Sequence, residues 1–126
     1  MGTSSKGSIL IADPVVRDYV VPQGADYPIR MRYVVNNVPV DLTGATIRGA
    51  LKKNHTSTTA SLSCTLANGK AFLNTATGVF GITLIAADTS ALEATSYVYD
   101  IEVVLPGGDV TRAMGGRITL TPEVTI

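Results

Sequence analysis

The reactive side chains of this chain are few, and their spacing limits the chemistry they can do. There is one thiol, Cys64, and one imidazole, His55. A cysteine becomes a nucleophile only as the thiolate, which needs a basic neighbour to form and hold it. Cys64 stands in the run Ala60, Leu62, Cys64, Leu66, which alternates with Ser61, Ser63 and Thr65 and so faces an interior. His55 lies in the polar stretch Asn54 to Thr59. An interior free cysteine behaves as a small hydrophobe, so the pattern predicts packing for Cys64 and no Cys–His pair.

Carboxylates offer the next possibility. Asp100 and Glu102 are two residues apart on a strand-like run, hence on one face and within about 7 Å of each other. Glycoside cleavage needs two carboxyls placed across a sugar. Here the neighbouring outward positions are Val98 and Val104, and the chain has no Trp. The pair reads as a solvated strand face, with Arg30 and Arg32 as possible cross-strand partners. The acidic residues, from Asp13 to Glu123, show no calcium-loop spacing. No glycine cluster precedes a helix, so no phosphate loop is expected. These readings predict no catalytic residues, no cofactor-binding residues, no metal ligands and no cofactor.

Composition narrows the partners. Ten basic and ten acidic residues give a formal charge of zero. Lys52-Lys53 is the one adjacent basic pair, so the basic, aromatic-rich surface of a nucleic-acid binder is missing. No apolar run approaches the ~20 residues of a membrane span, and Met1 to Ser8 lacks the apolar core of a secretion signal. Neither nucleic acid nor membrane is expected as a partner.

The elements that must position these residues are strands. Val, Ile and Thr account for 39 of 126 residues, and β-branched side chains favour extended backbone. Residues 1–22 read as a polar tail followed by an apolar arm, Ser8 to Pro22, interrupted by Asp13-Pro14. The remainder, 23–126, reads as one β-sandwich domain. Within it, alternation marks strands over Tyr27–Val35, Ala45–Lys53, Ala60–Leu66, Val79–Leu84 and Tyr97–Leu105, with a short return strand at Phe72-Leu73. Val110–Met114 and Arg117–Thr121 read as two more, separated by a bulge or bend at Gly115-Gly116. Ala86 to Glu93 is the single helical turn, with Leu92 as a core plug. The sum is roughly seven to nine short strands in an all-β, antiparallel sandwich.

Three ordered segments carry a resemblance. They are "NNVPVDLTGATIRGALKK" at Asn36 to Lys53, "GVFGITLIAADTSAL" at Gly78 to Leu92, and "YVYDIEVVLPGGDVTRAMGGRITLTPEVT" at Tyr97 to Thr125. Together they resemble a family of small tailed-bacteriophage virion proteins, across about Tyr27 to Thr125. The shared features are a D-L-T-G stretch, a G-x-F-x-I-x-L strand, a T-x-x-L turn, Y-x-Y-D-I-E, a glycine hairpin and a terminal G-x-I-x-L-x-P-x-V-T. The resemblance implies an immunoglobulin-like β-sandwich similar to the amino-terminal modules of baseplate and receptor-binding-protein scaffolds. It implies a non-enzymatic role in the virion as a tail, baseplate or fibre-attachment adapter, with capsid decoration or carbohydrate and receptor binding as alternatives. The implied partners are other virion proteins (tail, fibre or capsid subunits) and further copies of the chain in a symmetric assembly. No fibre shaft follows Ile126, which implies a small accessory subunit.

The arm supplies the candidate docking residues Ile9, Leu10, Ile11, Val15, Val16 and Tyr19. Two placements are open for it: the first strand of its own sandwich, or a strand added to the sheet edge of a neighbour.

Overall fold

The computed structural model describes residues 15–35 and 38–123. Strands β1 (Val15–Val16), β2 (Tyr19–Pro22), β6 (Thr46–Lys52), β7 (Leu62–Thr65), β10 (Ser96–Val104) and β11 (Val110–Thr121) form one six-stranded sheet. Its order is β1-β11-β10-β6-β7, with β2 following β1 along the same edge of β11. Strands β3 (Tyr27–Arg32), β9 (Val79–Leu84) and β8 (Ala71–Asn74) form a second, antiparallel sheet. β4 (Val34–Val35) and β5 (Val38–Pro39) make a small ribbon. The protein is an all-β sandwich. Its one described helix, α1 (Ala86–Ala91), bridges the sheets between β9 and β10.

Side-chain alternation explains which faces meet. On β10, Tyr97, Tyr99, Ile101 and Val103 are buried, and they face Ile47 and Leu51 of β6 and Ile118 and Leu120 of β11 within one core. The second sheet contributes Ile29, Phe80, Ile82 and Leu84. Burying such a set removes apolar surface from water at about 25 cal/mol per Å². One position in β9 is set by backbone contact instead. A Cβ at Gly81 would stand 1.8 Å from the carbonyl oxygen of Ile29 on β3, so only glycine lets these strands pair.

The helical turn is held from outside. Ala86 N–H donates to Asp26 Oδ1 at 2.6 Å, Gly24 N–H donates to Thr89 Oγ1 at 2.9 Å, and Gln23 Nε2 donates to Leu92 O at 2.8 Å. Six residues cannot stabilise a helix alone. The turn before β3 supplies the caps, which accounts for the fully buried Thr89. Asp41 closes the D-L-T-G turn by accepting from Thr43 N–H at 2.9 Å, ahead of Gly44 at φ +82°.

The run Tyr27 to Val35, expected as one strand, divides at Tyr33 into β3 and β4, which pair in different sheets. Two further expectations change. Val110 to Thr121 is a single strand, not two. Its irregularity is a bulge ahead of the glycines: Ile101 opposes Met114 while Glu102 opposes Arg112, leaving Ala113 as the extra residue. Gly115 and Gly116 answer to packing, because a Cβ on Gly116 (φ +152°) would lie 2.3 Å from Arg17 O. Second, Arg30 and Arg32 do not meet Asp100 and Glu102, since β3 belongs to the other sheet. Arg48 reaches Glu102 at 2.8 Å and Arg112 approaches Asp100 at 3.7 Å instead. Arg30 crosses its own sheet to lie over the Phe72 ring at 4.6 Å.

Candidate functional site

Cys64 and His55 occupy different environments. Cys64 is fully buried in the core, and burial pushes its thiol up to about 11. A thiol held protonated there is a poor nucleophile. His55 sits on the exposed loop after β6, where Asn54 Oδ1 accepts from Thr56 N–H at 3.1 Å and from Thr56 Oγ1 at 2.7 Å. No group of three or more His, Cys, Asp or Glu side chains could hold a metal among the described residues.

Of the arm's candidate docking residues, Ile9, Leu10 and Ile11 lie outside the described residues. Val15 and Val16 pair in parallel with Met114 and Gly115 of the same chain. Val15 packs against the core, whereas Val16 is 79% exposed. Tyr19 is half-buried. Its hydroxyl donates to Met114 Sδ at 3.9 Å, and its ring lies 5.8 Å from that of Tyr27 and 6.1 Å from that of Tyr99. Val20, two residues from Pro22, is 65% exposed.

This edge strand is fastened by three contacts made where β1 passes into β2. Arg17 N–H donates to Gly115 O at 2.9 Å, and Tyr99 Oη donates to Arg17 O at 2.6 Å. Asp18 Oδ1 accepts from Arg117 N–H at 3.0 Å. The bare glycine at 116 lets the crossing chain approach. These bonds fix the strand while leaving Val16 and Val20 on the surface.

Beside the edge, the outer face of the six-stranded sheet holds a hollow of about 470 Å³. The sequence pattern reads this face as a solvated strand face, with Val98 and Val104 beside Asp100 and Glu102. Its floor is Val98, which points away from the core yet is only 7% exposed, together with Ala50 and the backbone of Gly115 and Gly116. Around it stand Lys52, His55, Arg112 and Arg117, with Asp18 and Asp100. Burial, then the neighbouring Glu102, raises the Asp100 carboxyl above its ordinary value, against the pull of Arg112, Lys52 and Arg48. Gly115 leaves this face bare, since a Cβ there would lie 3.7 Å from Arg112 Cδ and 3.9 Å from Asp100 Cβ at the hollow; the sequence pattern reads the glycine pair as a bulge or bend.

Tyr19, Tyr27 and Phe72, the aromatics a sugar could use, do not form a platform. The two tyrosines pack edge to face against each other, and Phe72 lies under the Arg30 guanidinium on the other sheet. Comparison with protein-family models and with curated proteins finds no match to this chain.

Proposed function

We propose that this protein is a non-enzymatic assembly subunit of a bacteriophage virion, an immunoglobulin-like module that docks on neighbouring subunits at a tail, baseplate or fibre attachment. The observation that carries the docking part is the exposed pair Val16 and Val20 on a strand with one paired side among the described residues. An edge strand of this kind is a template for strand addition unless something covers it. The phage assignment is supported by the ordered motif series. Its pieces occupy positions with local structural reasons: the Asp41 turn, the buried Thr89 and the Gly107-Gly108 hairpin between β10 and β11. Immunoglobulin-like architecture is supported by the strand order, in which β1 and β2 run parallel to β11 at the edge of a sheet facing β3-β9-β8.

The test is direct. Mass spectrometry of purified particles from the phage encoding this chain should find it in stoichiometric, repeated copies, and truncation of residues 1–22 should reduce its incorporation. Its absence from purified particles would sink the reading. Capsid decoration remains the second assignment within the same class, and particles with tails removed separate the two by which fraction retains the protein.

A further inference from the structure

The hollow beside β1–β2 has an uneven charge. Arg48 is engaged by Glu102, Arg112 lies against Asp100, and the Asp18 carboxylate is turned onto the backbone N–H of Arg117. Lys52 and Arg117 also border the hollow and make no ion pair among the described residues. Lys52 acts on Asp100 only at longer range. The lining thus carries three cations, Lys52, Arg112 and Arg117, against two carboxylates, Asp18 and Asp100, which leaves one positive charge in excess over an apolar floor formed by Val98 and Ala50.

That pairing of features selects a ligand. An anionic head satisfies Lys52 and Arg117, and the guanidinium fork favours a planar carboxylate. An aliphatic stem satisfies the floor, which a bare inorganic anion would leave uncovered. A glutamate side chain carries both. Val16 belongs to the rim of the hollow and to the edge strand, so a chain lying along the edge passes the hollow's mouth. Because Arg17 N–H and Gln23 N–H both point to β11, the alternate residue Val20 directs its backbone groups away from β11, toward such a chain.

We propose that the hollow receives an acidic side chain from an extended segment of a partner protein docked along β1–β2. The inference rests on the docking reading above and adds the chemistry of the partner. The Asp18 and Asp100 carboxylates oppose it; Arg112 offsets Asp100, and Asp18 is turned onto the Arg117 backbone N–H.

The experiment is a titration of the isotopically labelled full chain, followed by amide chemical shifts. The probes are a capped, alternating valine/threonine peptide with one central glutamate, its glutamine twin, and an oligomer of glucuronic acid. The glutamate peptide should move the amides of Lys52, His55, Gly115, Gly116 and Arg117 together with those of Val16 and Val20. Arg117→Glu should weaken it about ten-fold while leaving core amides in place, and Asp100→Asn should tighten it. Equal binding of the glutamate and glutamine peptides at β1–β2 would overturn the acidic-residue proposal and leave edge docking standing. Shifts nowhere near the edge or the hollow would overturn both. Stronger, Arg117-dependent binding of the glucuronate oligomer than of the glutamate peptide would overturn the assignment to a protein partner.

Discussion

The two edges of the six-stranded sheet are finished in opposite ways. At β7, Asn68 folds its side chain back along the strand: Thr65 N–H donates to Asn68 Oδ1 at 2.9 Å, and Asn68 Nδ2 donates to Ser63 O at 3.0 Å. One amide thus takes the place of a neighbouring strand, and Lys70 N–H completes the closure by donating to Thr65 O at 3.2 Å. At β1–β2 the fastening contacts all point inward, to β11 and Tyr99, and the outward side carries two exposed valines. The lesson is that edge protection is local chemistry. An amide in the right turn shuts one edge; at the other, among the described residues, the strand breaks at Arg17-Asp18 between β1 and β2 and Pro22 has no N–H to offer.

The strongest way to break this contrast is to detach the open edge. Gly116→Val places a Cβ against Arg17 O at a backbone angle β-branched residues avoid. Its expected cost is about 3 kcal/mol, read by chemical denaturation. An unchanged midpoint would mean that β1–β2 already leaves the sheet in solution.

Opening the closed edge comes next. Asn68→Ala removes the amide that satisfies Ser63 and Thr65. It should cost about 1–2 kcal/mol and make the protein self-associate with concentration, by sedimentation velocity. A variant that loses stability and stays at the parent's association state would show that β7 needs no guard.

Tyr99→Phe is milder. It deletes the hydroxyl that holds Arg17 O, at a cost of about 1 kcal/mol, and hydrogen exchange should accelerate in Tyr19–Pro22 more than in β6. Uniform acceleration across both strands would assign Tyr99 to the core alone.

The smallest effect lies in the hollow. Burial raises the Asp100 carboxyl in the folded protein, so its charge opposes folding. That opposition is complete above the folded value and vanishes below the unfolded value of about 3.9. Asp100→Asn should therefore stabilise the protein at neutral pH by less than about 1 kcal/mol, after screening by solvent and Arg112. The gain should fade as pH falls through the carboxylate range. A variant less stable than the parent at neutral pH would make the Asp100–Arg112 contact the larger influence.

Much of the architecture was legible one strand at a time. Tyr97 to Leu105 alternates so regularly that its inward set could be named from spacing. Partnership between strands was not legible. Arg30 and Arg48 look alike as outward arginines on alternating runs, and only sheet order sends Arg48 to Glu102 and Arg30 to Phe72. The hollow was hidden for the same reason: Lys52, Asp100 and Arg117 come from three strands whose adjacency is a long-range property.

By itself, the sequence determined that this chain is built of β-strands, that its single thiol is interior, and that its charges balance. These follow from side-chain branching, alternation and composition, which act within a few residues. Only the tertiary structure decided that the glycine pair borders a hollow beside a bulge, that an asparagine in a turn seals an edge, and that Val16 and Val20 stay in water. Those outcomes depend on which backbone lies across from which, and that is set when two sheets close on one core.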